Sequence, residues 1–171
     1  MMHLALEEAR AAATRGEVPV GAIVYETSTG TVISRAGNTR EQAQSPTGHA
    51  EIAAMEAAAK ALNSWRLDAC TLVVTLEPCA MCAGAIVQAR VGRVVYGASD
   101  PKAGFAGSLG NLLCDARLNH RVQPIAGVQA EESAKLLKDF FAARRQQGKN
   151  QKAASASSDT SAGDAAKSPR E

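Results

Sequence analysis

The chain switches repeatedly between Ala-rich helical stretches and short β-rich runs, and this alternation restricts it to folds that pack helices on a sheet. Met2 to Arg15 is rich in Ala, Leu and Glu, which are good helix formers, and Gly16 is a natural stop. Val18 to Tyr25 and Thr31 to Ala36 flank Thr27-Ser28-Thr29-Gly30 and predict a hairpin. Ala50 to Leu62 predicts a helix, Thr71 to Leu76 a strand, and Ala80 to Arg90 a helix with Pro78 just before its start. Val94 to Ala98 is a further strand, and Arg121 to Ile125 a weaker one whose Pro124 suits a sheet edge. Glu131 to Gln147 predicts a closing helix. Ser99 to Leu118 is Gly-rich and irregular, long enough to suggest a functional loop. This order predicts an α/β fold, a three-layer α/β/α sandwich with a mixed central sheet. Aromatic residues are only 4% of the chain, so its core must be built from Ala, Val, Leu and Ile.

The composition changes at Gly148. No Leu, Ile, Val or aromatic residue follows, so the segment cannot bury enough apolar surface to offset its ordering entropy. The expected organisation is one domain over residues 1–147 and a disordered low-complexity tail over 148–171. Lys and Arg number 19 and Asp and Glu 17, a net charge of +2, so any contact with an acidic partner must come from a local patch. No apolar run approaches the ~20 residues that span a bilayer. The N-terminus carries Glu7, Glu8, Arg10 and Arg15 and lacks the apolar stretch of a signal peptide. A cytoplasmic protein without a membrane segment is the expectation. In a reducing compartment its four cysteines serve as ligands or free thiols rather than disulfides.

Chemistry concentrates around Cys79-Ala80-Met81-Cys82, a C-x-x-C at a strand-to-helix junction. Residues three apart on a helix share a face, so both sulfurs can reach one ion. The positive end of the helix dipole favours thiolates there. The spacing alone also permits a redox dithiol or half of a structural zinc site. A closed structural site needs a fourth protein ligand, and no second C-x-x-C exists. Cys70 and Cys114 stand alone and are expected to be idle thiols, and His3 and His120 to be structural. His49 also opens a helix, and Glu51 follows it by two positions, off the ligand face. His49, Cys79 and Cys82 therefore form a candidate three-ligand zinc site with an open position, the mark of a catalytic ion. Glu51 is the candidate acid/base beside it, since a zinc-activated water needs a carboxylate to shuttle its proton.

His49-Ala50-Glu51 and Pro78-Cys79-Ala80-Met81-Cys82 match the H-x-E…P-C-x-x-C signature of zinc-dependent nucleobase deaminases. Three wider strings, Val18-Pro19-Val20-Gly21-Ala22, Thr75-Leu76-Glu77-Pro78-Cys79 and Met81-Cys82-Ala83-Gly84-Ala85, resemble bacterial tRNA-specific adenosine deaminases. So do Gly107-Ser108-Leu109, Asn119-His120-Arg121-Val122 and Phe140-Phe141 followed by Arg144-Arg145. The likeness runs from the first helix to about Arg145.

The resemblance implies a cytidine-deaminase-like fold, one zinc ion per subunit and a homodimer. It implies conversion of adenosine to inosine at the first anticodon position of a tRNA, with the base splayed from the anticodon stem-loop into the pocket. It makes Asn38 a contact to the base, and Phe140, Phe141, Arg144 and Arg145 contacts to the RNA. The helix Ala83 to Val91 offers apolar surface for the dimer. Two departures stand out. Thr39-Arg40 replaces the Arg-Pro that the family usually carries after the Asn, and the first helix begins late, with little before Met1. Two rival readings share part of these features. A deaminase of free guanine or cytosine would use the same zinc site without Arg144-Arg145, and a binding module would hold a purely structural zinc.

Overall fold

Small residues set the spacing of the layers. In a computed structural model describing residues 1–161, with side chains through Gln151, Ala5, Ala9, Ala12, Ala22, Ala50, Ala54, Ala58 and Ala83 are fully buried where helices meet the sheet. The elements are α1 (Met2–Thr14), β1 (Gly21–Glu26), β2 (Val32–Gly37), α2 (Ala50–Ala61), β3 (Cys70–Leu76), α3 (Ala80–Gln88), β4 (Arg93–Ala98), β5 (Pro124–Ile125) and α4 (Ala130–Ser161). The five strands form one sheet in the order β2-β1-β3-β4-β5. β1 runs antiparallel to both β2 and β3, whereas β3, β4 and β5 are parallel, so the sheet is mixed.

Strand side chains alternate between the faces. Ala22, Val24, Leu72, Val74, Val94 and Tyr96 join the core with α2 and α3. Ile23 and Val73 point the other way, toward Met2, Ala5 and Leu6 of α1 and Leu136 at the start of α4. Helices thus cover both faces, and the predicted α/β/α sandwich is what forms.

The end of α1 shows how local sequence aims the chain at the site. Gly16 takes φ +81°, its N–H donates to the Ala13 carbonyl at 3.0 Å, and the Glu17 N–H donates to the Ala12 carbonyl at 3.1 Å. This is the left-handed glycine cap, available cheaply only to a residue without Cβ.

Two boundaries differ from the sequence expectation. The strand expected at Arg121 to Ile125 shrinks to Pro124–Ile125, paired with Val94 and Val95 at the sheet edge. Pro124 lacks the N–H that a longer ladder needs. The closing helix does not end at Gln147 but continues to Ser161, so the backbone of residues 148–161, expected to be disordered, is helical. Lys, Gln and Ala propagate an existing helix at little cost, and a lack of apolar residues forbids packing rather than helix. The rest of the expected tail, 162–171, lies outside the described residues. Met1–Leu137 form one compact unit, and a second begins at Lys138.

The close approach of α1 to β1 makes Gly21 irreplaceable. A Cβ there would stand 2.0 Å from the Ala5 carbonyl oxygen and 2.5 Å from the Ala9 nitrogen. Gly21→Ala is expected to destabilise the protein by about 2–3 kcal/mol, at the upper end of overpacking costs. Gly84, on α3, has nothing within 4 Å of the same position. Gly84→Ala should stabilise by ~0.5–1 kcal/mol through helix propensity alone. Denaturant unfolding of both variants against the parent checks the pair.

Candidate active site

Two helix N-termini converge beside the strand ends. His49 precedes α2 as its N-cap, with φ −88° and ψ 146°, and Cys79 precedes α3 in the same way, with φ −71° and ψ 174°. Cys82 lies one turn into α3 and is fully buried. His49 Nδ1 is 3.7 Å from Cys79 Sγ and 3.5 Å from Cys82 Sγ, and the three donor atoms all lie within 4.8 Å of one another. Donors at the corners of one zinc tetrahedron, with Zn–S of about 2.3 Å and Zn–N of about 2.0–2.1 Å, stand roughly 3.5–3.8 Å apart. The three side chains therefore fit a metal ion of that size. Among the described residues no other group of His, Cys, Asp or Glu gathers in this way with these donors, and neither Cys70 nor Cys114 takes part.

The electrostatics agree with a thiolate site. Hydrogen bonds from Cys82 and His49 pull the Cys79 thiol down to about 3, and the hydrogen bond to Cys79, together with burial, pushes Cys82 up. The hydrogen bond to Cys79 in turn raises His49. Without an ion the three groups share protons, and a cation would take their place.

Glu51, in the first turn of α2, is 3% exposed, and its Oε2 has no hydrogen-bond partner. Burial pushes its carboxyl up. A buried polar atom left unpaired costs ~1–3 kcal/mol, so its retention points to a partner that arrives from outside the chain. Glu51, His49 and Cys79 open on a cavity of about 210 Å³, with Val18, Val20 and Leu76 as apolar wall and Asn38, Arg40 and Asp100 as polar wall.

Asn38 is buried, and its Oδ1 accepts the Ala50 N–H at 2.9 Å. That bond ties the end of β2 to the start of α2 and leaves the Asn38 amide N–H groups for another partner. Phe140, Phe141, Arg144 and Arg145 stand on α4 in the second unit. Arg144 lies over the Phe140 ring at 5.6 Å, the two Phe rings meet edge-to-face at 5.5 Å, and Phe141 is 42% exposed.

Two residues of the site carry no motif role in the sequence reading. Glu17 is buried, and its carboxylate accepts the N–H groups of Glu41 (3.1 Å) and Gln42 (2.7 Å), which fixes the loop after Thr39-Arg40. Glu77, buried two positions before Cys79, accepts N–H groups of Asp100, Ala106 and Ser108. An acidic residue flanked by apolar ones, such as Val18-Pro19-Val20 after Glu17, was the one available signal.

Removal of a donor should release the metal. His49→Ala, Cys79→Ser and Cys82→Ser are expected to lose bound zinc and stability together, because binding and folding are coupled. Cys70→Ser and Cys114→Ser are expected to keep it. Metal content per chain by elemental analysis checks the set, and one zinc per chain in Cys82→Ser would exclude that ligand.

Comparison with known proteins places this geometry. The profile of the MafB19-like deaminase family matches residues 1–145. The tRNA-specific adenosine deaminase of Bacillus subtilis is 48% identical over 148 residues, 86% of this chain and 91% of that protein. Among solved structures, a tRNA:A34 deaminase studied for A-to-I editing at the wobble position superposes with a TM-score of 0.76 at 44% identity, covering 80% of this chain and 97% of that one. The guanine deaminase of Nitrosomonas europaea superposes at 0.73 with 26% identity, covering 82% of each chain. A cavity with a His/Cys/Cys donor set and a buried carboxylate, on a fold and sequence this close, makes the chain a member of the MafB19-like deaminase family that groups with the tRNA-specific adenosine deaminases.

Proposed function

We propose that the protein hydrolyses the 6-amino group of the adenosine at the first anticodon position of a tRNA, yielding inosine and ammonia. The observation that carries this reading is the buried Glu51 carboxylate, whose Oε2 has no partner, beside three donors spaced for one ion. His49, Cys79 and Cys82 would hold zinc and leave its fourth position free. When bound, the ion supplies Lewis acidity, which makes an attacking water acidic enough to ionise near neutral pH.

The chain's own residues do the rest. Glu51 Oε2 takes the proton of the attacking water and passes it to the ring nitrogen beside C6. A second transfer through the same carboxylate protonates the departing amine, so water and adenosine become inosine and ammonia. Its burial favours the protonated form that this return step needs. The Asn38 amide donates to the base, and the apolar wall of Val18, Val20 and Leu76 excludes bulk water from the ring. Arg144 and Arg145 on α4 bind phosphates of the stem, with Phe140 and Phe141 as a stacking surface.

The working unit is a cytoplasmic homodimer. The side chains expected to face a partner are partly wrong in detail, because Ala83, Ile86, Val87 and Val91 are buried in the protomer's own core. The surface that supports a dimer is a groove of about 340 Å³ lined by Ile52, Met55, Ala59, Trp65, Ala85 and Ala89, with Trp65 62% exposed. Among the described residues no helix is long and apolar enough to cross a membrane.

The likeness to a guanine deaminase keeps one competing reading in the test. Incubation with unmodified total tRNA, followed by sequencing, is expected to reveal adenosine-to-inosine changes at the first anticodon position. Faster release of ammonia from free guanine, cytosine or adenosine than from any anticodon stem-loop would favour the competitor. Glu51→Ala should retain zinc and fold yet lose turnover by ~10²–10⁴-fold. Zinc loss in that variant would make Glu51 a ligand instead. Arg144→Ala with Arg145→Ala should flatten the salt dependence of RNA binding by about 0.9 per lost contact to duplex, or ~0.7 on single strand, at unchanged zinc content.

A further inference from the structure

One buried carboxylate is tied to the ligand-bearing turn on one side and to a long loop on the other. Glu77 is 2% exposed, and among the described residues its hydrogen-bond partners are all neutral donors. Its Oε2 accepts the Asp100 N–H at 2.9 Å, and its Oε1 accepts the N–H groups of Ala106 (3.1 Å) and Ser108 (2.9 Å). The Ser108 hydroxyl also donates to it.

The loop so gathered, residues 99–108, closes back on the metal-ligand turn. The Phe105 N–H donates to the Pro78 carbonyl at 2.8 Å, and Gly104 bridges Cys79. Gly104 is the contact point. A Cβ on it would stand 2.3 Å from the Glu77 carboxyl carbon, so the carboxylate fills the space beneath the loop. Asp100 and Ala103 of the same loop line the cavity that holds Glu51 and His49. Packing alone would hold a loop with apolar side chains. A buried anion is costly, and it is kept here by several N–H groups that converge from three points of one segment.

We infer that Glu77 is a positioning residue that sets the Asp100–Ala103 wall of the substrate cavity, and so governs substrate binding rather than the proton transfer. This rests on the RNA-deaminase reading above for the choice of substrate, though not for the geometry. The substitution Glu77→Gln isolates the effect at constant size. An amide puts an NH2 where one carboxylate oxygen was. In its better orientation the Ser108 hydroxyl turns to accept, and the Asp100 N–H faces a donor and loses its partner.

The test measures Glu77→Gln in the zinc-loaded full chain, well below its melting temperature. Hydrogen exchange across residues 99–108 is expected to quicken at about one zinc per chain, relative to the rest of the sheet. KM for an anticodon stem-loop is expected to rise ~10-fold or more, the weight of one charge-assisted hydrogen bond, while kcat falls less. Ser108→Ala keeps the three backbone donors and should shift KM in the same direction by less, which serves if Glu77→Gln does not fold. A merely structural role would lower the melting temperature and leave KM per folded molecule as it was. KM within about twofold of the parent, unchanged exchange in 99–108, or zinc lost in step with activity overturns the assignment. If the parent itself deaminates a free base and no stem-loop, the RNA reading fails, and the same exchange and KM criteria are then applied with that base.

Discussion

His49, Cys79 and Cys82 can share one ion only while the starts of α2 and α3 stay within a few ångströms of each other. That separation depends on how both helices lie against the sheet. Ala50, Ala54 and Ala58 of α2, which packs mainly on β2 and β1, and Ala83 of α3 are fully buried in one core, and side chains this small let the helix axes come close. Larger residues would lift a helix and move its first turn with it. Interiors packed at crystal-like density transmit such shifts rather than absorb them. The scarcity of aromatic residues is therefore part of the site, since bulk in this core would separate the donors.

Buried carboxylates then divide into two kinds. Glu17 and Glu77 are saturated by backbone N–H groups, and each fixes a loop beside the cavity. Glu51 has an oxygen without a partner. The first kind gains stability from its bonds. The second loses some, and the proposed proton transfer would put that unpaired oxygen to use. One protein thus places similar groups in opposite environments a short distance apart, and the environment sets the role.

This contrast also explains what was legible in the sequence. The strands, helices and C-x-x-C were readable because their signals are local: a period, a cap or a three-residue spacing. His49 and Glu51 were readable because they flank a helix start in a recognisable order. Glu77 was not, because its partners lie 23 to 31 positions away and donate through backbone, which leaves no mark on residue type. Glu17 was hidden for the same reason, its partners lying 24 and 25 positions on. The end of α4 is not legible in composition, because a lack of apolar residues decides whether a helix can pack and not whether it forms. Asn38 owed its place to resemblance. Its bond to the Ala50 N–H shows a physical reason for the position, the joining of β2 to α2, that a lone Asn after Gly does not disclose.

The donors and Glu51 ride on helix starts anchored to the sheet, whereas loops 39–48 and 99–108 are held by the carboxylates of Glu17, just past α1, and Glu77, just past β3. The same fold is kept by a guanine deaminase at 26% identity and by a tRNA deaminase at 44%. In this chain the loops present Arg40 on one wall and Asp100 on the other, with an apolar wall between them. Apart from His49 and a bound metal, the charged residues lining the cavity are Glu17, Glu41, Glu51, Glu77 and Asp100 against Arg40, a balance that favours an uncharged base over a phosphate. Arg144 and Arg145 on α4 are both exposed, and the proposed contact to the RNA would use them.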